Sequence, residues 1–420
     1  MTKLEKQWIV YDVANSAFTL LVSTVFPVYF KYLAENEHIP GTTYLAYWGY
    51  AVSISTLIVA FIGPVFGAVA DSCRSKKMFF TISMLVGVIS CAMLGTYQSW
   101  IFFLVVFVIA KTGYSSSLVF YDSMLPDVTE PDNMDNVSSA GYGLGYIGST
   151  IPFIASLAII LMKDKIGLNM NAAMNIVLFI NGIWWFLWSV PLIKNYRQIH
   201  FVTPSAHPVR NSFHNLKETF FSLAKEKKIL IFLIAFFFYI DGVYTIIDMA
   251  TAYGSAIGLD STGLLLALLL TQFVAFPFAM LFAWLSRRID AVKLIAVCIA
   301  GYVGIALYAF FLDKQYEFWI LAVSVGIFQG GIQALSRSYY AKIIPAEKSG
   351  GYFGIMDICG KGAAFLGTSA MAFLTQLTGK AKYGVLAIAF MLGTGFILFL
   401  VAVKIPAKGD SRLIKSGGRA

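Results

Sequence analysis

Lys111, Asp241, Asp357 and Lys361 are ionisable residues set in the middle of long apolar stretches. A charge at membrane depth is costly unless it meets a partner or a water-filled cavity, which makes each a candidate for binding, coupling or gating. Lys111 lies about 11 residues from either end of its stretch, roughly 16 Å at ~1.5 Å per residue, too deep for its stem to reach an interface comfortably. It requires a fixed partner, a neutral state or an anionic group of a solute, and a purely structural ion pair is the plainer alternative. Asp241 stands near mid-depth in TyrIleAspGlyValTyr, where Tyr239 and Tyr244 can hydrogen-bond a solute and Gly242 loosens the helix. Lys111 and Asp241, of opposite sign, are expected to bridge a zwitterion, its carboxylate toward the lysine and its ammonium toward the aspartate. Asp357 and Lys361 are one helical turn apart with the acid first, the favourable order. They form either a second layer of the site or a self-satisfied pair.

A second set is spaced for one helical face: Gln329, Gln333 and Arg337. Such a stripe on an apolar helix predicts a hydrated path or an internal ion-pair network, with Arg337 as a simple helix cap the alternative. Asp12 and Asn15 in the first apolar segment, Asp122 at the end of the fourth and Asp248 one face-repeat beyond Asp241 complete the candidates. No Ser/His or His/Asp cluster shares a depth, which argues against an intramembrane lipid-handling enzyme. A non-transporting receptor would not need charges on so many segments. No phosphate-cradling loop or nucleotide-binding motif is present, so ATP-driven pumping and any cofactor are not expected. Cys73, Cys91, Cys298 and Cys359 have no ligand-like spacing, and His200, His207 and His214 read as linker residues rather than a metal site.

The elements that must position these residues are helices through a bilayer. Of the 420 residues 58% are hydrophobic and 13% charged, with a mean hydropathy of +0.74, which defines a polytopic membrane protein. The +9 charge is spread over short loops, so nucleic acid is not an expected partner. Stretches long enough to span fall near 8–31, 44–70, 78–97, 100–122, 137–162, 172–193, 229–253, 262–286, 291–312, 316–341, 351–377 and 382–404. Each exceeds what a barrel strand needs and lacks its alternation. With both termini cytoplasmic, 23 of the 31 Lys and Arg fall inside and six fall outside, which fixes the orientation. The loop 122–136 dissents, carrying Asp122, Asp127, Glu130, Asp132 and Asp135 without a base.

The segment 196–228 divides the chain into helical bundles at 1–195 and 229–405, with a basic tail at 406–420. Phe213, Leu216, Phe220 and Leu223 predict an amphipathic helix in that linker, lying on lipid headgroups. Each bundle has a basic loop after its second span: Arg74, Lys76 and Lys77 follow GlyAlaValAlaAsp at 67–71, and Arg287, Arg288 and Lys293 follow Ser286. Two parallel six-helix repeats around a central cavity are the expected layout. Gly141, Gly145 and Gly148 in the fifth span, and Gly360, Gly362 and Gly367 in the eleventh, suit close helix packing.

GlyAlaValAlaAsp with Lys76 and Lys77 resembles the loop signature of the major facilitator superfamily, with Ser72 where a base is usual and Arg74 where glycine is usual. TyrAspValAlaAsnSerAlaPhe (11–18), TyrAspSerMetLeuProAsp (121–127), ValSerSerAlaGlyTyrGlyLeuGlyTyrIleGly (137–148), GlnAlaLeuSerArgSer (333–338) and GlyLys (360–361) resemble its vacuole-effluxer-like branch. That branch includes fungal vacuolar amino-acid effluxers and bacterial members. The resemblance implies an all-α, twelve-helix major facilitator fold, with the first, fourth, seventh and tenth helices lining the cavity. It implies a secondary transporter, driven by a solute or proton gradient, that exports a small polar solute such as an amino acid; an amphipathic lipid, sugar or drug-like solute is the runner-up. Asp71 and the bases at 74–77 (Arg74, Lys76 and Lys77) are then expected to hold the outward-open state together rather than touch solute. A monomer in the bacterial plasma membrane is expected.

Overall fold

The computed structural model describes residues 1–39, 41–202 and 226–405. The amphipathic helix expected around Phe213–Leu223, together with His207, His214 and the basic tail, lies outside the described residues.

Twelve helices are long and apolar enough to cross a membrane, and they follow the expected segments closely. In lipid, only internally hydrogen-bonded helices or closed barrels satisfy the backbone, so an apolar run of this length has little other choice. The first span is the exception to continuity. It runs as Lys3–Ser23 and Val25–Asn36, broken at Thr24. Pro27 cannot donate to the turn before it, and the hydroxyls of Ser23 and Thr24 bond back to the carbonyl of Leu20. Its start is fixed locally: Thr2 and Glu5 form a reciprocal capping box.

The remaining spans are Gly41–Ser72, Lys76–Met93, Trp100–Ser123, Met134–Met162 and Met170–Asn195 in the first set. The second set comprises Lys227–Ala256, Ser261–Leu285, Ala291–Phe310, Gln315–Ile343, Ser349–Thr378 and Ala381–Lys404. The two sets pack by the same scheme. In the first, the first span lies against the fifth and sixth, the second and third against the fourth, and the third against the sixth. In the second, the seventh lies against the eleventh and twelfth, the eighth and ninth against the tenth, and the ninth against the twelfth. Between the sets, the second crosses the eleventh and the fifth crosses the eighth. These are exchange-related pairs, as two repeats about a two-fold axis require.

Glycine sets how closely one of those crossings is made. A Cβ on Gly67 would stand 2.3 Å from the carbonyl oxygen of Gly350, and one on Gly354 would stand 2.4 Å from the nitrogen of Pro64. Gly63 and Gly67 on the second span, and Gly350 and Gly354 on the eleventh, are each four residues apart, so bare backbone meets bare backbone over one full turn. This crossing lies at the end of the bundle where the first span begins and the twelfth ends, called the terminus side below.

Candidate functional site

Arg337, near the terminus-side end of the tenth span, is the centre of the densest polar contacts between the two sets. Its Nη1 donates to Asp122 at 3.0 Å and its Nη2 to Asp12 at 3.2 Å. Nε reaches the Ser138 hydroxyl at 2.9 Å and Nη2 also reaches the Ser138 carbonyl at 3.0 Å. The rings of Trp8 and Tyr142 face the guanidinium at 4.6 and 4.4 Å. A planar fork of five donors suits such a cage, which an ammonium would not fill. Space for it comes from the fifth span: a Cβ on Gly141 would lie 2.2 Å from the Asp12 carboxylate and 3.3 Å from Arg337. The stripe Gln329–Gln333–Arg337 thus ends in an ion-pair network, as expected, and not in a helix cap. Gln329 is buried and Gln333 half-buried along it.

A second lock sits beside it. Asp71, at the end of the second span, accepts the backbone N–H groups of Gly350 and Gly351 at 3.1 and 3.0 Å. Those are orphan donors at the positive end of the eleventh helix, so a carboxylate is the natural cap. Lys76 is completely buried beneath it, 3.3 Å from Asp71 and 3.5 Å from Asp127, and donates to the Ser349 hydroxyl at 2.8 Å. The expectation for Lys77 is corrected here: it has no ion pair among the described residues, because one step of helix turns it away and Lys76 inward. Arg74 takes φ +52°, the left-handed region that glycine favours, and lays its guanidinium 4.2 Å over Phe201.

The acidic loop 122–136 now has a reason. Asp122 meets Arg337, Asp127 meets Lys76 and Asp135 meets Lys342 at 2.6 Å; two of these three pairs, those of Arg337 and Lys342, join the two sets. Arg287, from the loop after the eighth span, adds a bond to Asn136 at 2.9 Å. Asp127 also anchors the chain that leaves the sixth span. It accepts from the Tyr196 hydroxyl at 2.6 Å, the His200 backbone at 2.7 Å and the Ile199 backbone at 3.1 Å, and the His200 ring lies 2.9 Å away. Burial, reinforced by the Asp127 charge, pushes the Tyr196 hydroxyl well above its ordinary range, so it stays a donor. Gln198 bridges the Ala70 carbonyl and the Lys76 N–H.

Above these locks the polar residues are unclosed. Lys111 is half-buried with its ammonium 5.9 Å from the Phe107 ring. Protein surrounds it, yet it makes no ion pair among the described residues. Asp248, on the seventh span, is exposed to solvent. A charge that is deep and yet wetted lines a cavity. Asp357 and Lys361 close on each other at 2.6 Å, partly exposed, with Tyr244 and Tyr114 beside them. Tyr114 shares a hydrogen bond of 2.6 Å with the exposed Thr19.

Three expected site residues are placed elsewhere. Asp241 is fully buried and turned to the eleventh span, where it accepts the Gly367 N–H at 3.0 Å. The expected bridge between Lys111 and Asp241 is therefore corrected: Asp241 is committed to the eleventh span, and Asp248 is the acid of that helix left exposed. Tyr239 is buried in the second set, sharing a 2.7 Å bond with Ser336. Asn15 is buried and donates to the Tyr11 carbonyl at 2.8 Å. Of the glycines expected to pack closely in the eleventh span, Gly367 does so and Gly362 faces open space. Asp127, Ser138, Tyr114 and Tyr142 were not assigned a role from the sequence. The available signals were the unexplained acids of the 122–136 loop and the ValSerSerAlaGlyTyr run.

Comparison with known proteins bears on this geometry. A family profile described as "Vacuole effluxer Atg22 like" matches residues 2–408. The chain is 42% identical over 406 residues to the Bacillus subtilis protein named "Uncharacterized MFS-type transporter YxiO", covering 95% of each. It is 25% identical over 424 residues to "Autophagy-related protein 22" of Vanderwaltozyma polyspora, covering 89% of this chain and 79% of the relative. Among solved structures it is similar to the major facilitator transporter FucP in the outward conformation, with a TM-score of 0.71 at 14% identity, covering 96% of this chain and 98% of that one. A bacterial homologue of the iron transporter ferroportin in an outward-facing state gives 0.67 at 16% identity, covering 96% and 99%. The twelve helices, their repeated packing and these matches agree: the chain belongs to the vacuole effluxer Atg22-like family of major facilitator superfamily transporters, membrane proteins that move a small solute and are not enzymes.

Proposed function

We propose that this transporter exports an amino acid or a related small zwitterion, coupled to a proton gradient, by rocking its halves 1–195 and 229–405 about the cavity. The observation that carries the reading is the presence of Lys111 and Asp248, one from each half, opposite in sign, reached by solvent and in no ion pair among the described residues. Two fixed charges held apart suit a solute that carries both signs, its carboxylate at Lys111 and its ammonium at Asp248. Tyr244 and the Asp357–Lys361 pair stand beside them as further hydrogen-bonding groups. The locks around Arg337 and Asp71 close the terminus side, which supports an outward-open state if the termini are cytoplasmic. We place the protein, as a monomer, in a bacterial plasma membrane on its loop charges.

Proteoliposomes test this with labelled amino acids, with and without a pH gradient. Saturable amino-acid flux is expected, lost in both Lys111→Met and Asp248→Asn. Wild-type flux in folded Lys111→Met would show that the carboxylate site is wrong. Movement of sugars or organic anions with no amino-acid flux would replace the substrate class. The native, exposed Cys73 reports orientation, since membrane-permeant reagents alone should label it in intact cells.

A further inference from the structure

Asp241 is a buried acid that the transport site leaves without a task. Its side chain has no solvent exposure. Oδ1 accepts from the Gly367 N–H at 3.0 Å and the Thr245 hydroxyl at 3.3 Å, while Oδ2 is buried with no hydrogen-bond partner among the described residues. Both donors are neutral, and Asp241 forms no ion pair among the described residues. Its surroundings are accounted for element by element. On its own helix Tyr239 is engaged with Ser336 of the tenth span, and Asp248 is exposed. The Asp357–Lys361 pair of the eleventh span is closed on itself. The twelfth span presents Leu392 to Gly242 and Gly395 to the Tyr239 backbone. The eleventh span is pressed onto the carboxyl: a Cβ on Gly367 would stand 2.3 Å from Oδ1 and 2.2 Å from the Thr245 hydroxyl.

A bare carboxylate there would lack both water and a counter-ion, whereas a neutral acid would lack one hydrogen bond. The second deficit is far smaller. We propose that Asp241 is a proton-binding site within the membrane, occupied while the terminus side is closed. Its Oδ2–H bond breaks when the eleventh span draws away from the seventh, the proton passing to incoming water and leaving the carboxylate. The eleventh span is the same helix whose first residues Asp71 and Lys76 hold, so lock and proton site share one rigid element. That this proton drives solute movement rests on the transport reading above; that it binds does not.

The test needs no solute. Infrared spectra of the full chain in lipid nanodiscs at neutral pH should show the carbonyl stretch of a protonated carboxylic acid, shifted by deuterium oxide. The band should vanish in Asp241→Asn and survive in Asp248→Asn. Asp241→Asn should also melt close to wild type, because the amide copies the shape of the neutral acid. An unchanged band in Asp241→Asn overturns the proposal. So does a wild-type melting temperature that rises when sodium replaces choline and no longer does so in Asp241→Asn, which would mark a sodium site. Should Asp241→Asn fail to fold, Thr245→Val removes a donor to Oδ1 and must shift the band; no shift overturns the proposal equally. Loss of solute flux in the wild type with the band intact would instead reject the transport reading alone.

Discussion

A guanidinium that makes four hydrogen bonds to three residues cannot be replaced piecemeal. Removing Arg337 leaves Asp12 and Asp122 facing each other without their cation, and a broken buried pair costs about 3–5 kcal/mol. Arg337→Ala should therefore melt well below wild type. The double variant Arg337→Met with Asp12→Asn should recover part of that loss, a coupling that a double-mutant cycle measures. Recovery of nothing would mean that the rings of Trp8 and Tyr142, and not the acids, hold the arginine in place. Arg74 poses a different residue-scale question, because its backbone is left-handed. A β-branched residue is strongly disfavoured at positive φ and glycine is not. Arg74→Gly should thus stay within about 1 kcal/mol of wild type, whereas Arg74→Val should lose more, of order 1–3 kcal/mol; thermal unfolding ranks the two. Equal stability of both would contradict the backbone conformation.

Among the elements, the second and eleventh spans meet backbone to backbone at Gly63, Gly67, Gly350 and Gly354. A side chain at Gly354 would strike the backbone at Pro64 and Gly63, which cannot yield as a flexible side chain can. Gly354→Leu is expected to force the spans apart and unseal the terminus side. Spin labels on Cys73 and on a cysteine replacing the exposed Glu347 would then report a longer separation than in wild type. The existence of all twelve spans was legible because each helix must satisfy its own backbone in lipid, whatever its neighbours are. Which residues face the cavity was not, because that depends on the neighbour. Asp241 and Asp248 are seven residues apart and share a face of one helix. The notch at Gly367 buries the first, while the second is left exposed. Lys76 and Lys77 differ by one residue, and loop composition cannot say which of them turns inward. The pairs Gly63–Gly67 and Gly350–Gly354 could have been read from spacing, as could the role of the acidic loop once its missing bases were counted.

At the scale of the molecule, the terminus side is closed by contacts of two kinds that should fail separately. The Arg337 cage joins the tenth span to the first, fourth and fifth. Asp71 and Lys76 join the second and third to the eleventh, braced by residues 196–202 through Asp127 and Gln198. Asp127→Asn removes the charge opposite Lys76 and weakens the acceptor that gathers Tyr196, Ile199 and His200. It should increase hydrogen exchange at Tyr196–Val202 and at the N–H groups of Gly350 and Gly351, with the Arg337 contacts left protected. Uniform loss of protection across both locks would mean they open as one unit.

The cage also gives the protein an optical signal of its own. The Trp8 indole is stacked on Tyr121 at 4.3 Å, donates to the Tyr121 carbonyl at 3.1 Å and carries the Arg337 cation over its face. When the tenth span withdraws, that indole loses a positive charge and gains water, so its emission changes in both intensity and colour. The difference between wild type and Trp8→Phe isolates this fluorophore from the other seven of the eight tryptophans. Opening and closing of the terminus side can thus be followed in real time, without a label and before any solute has been identified.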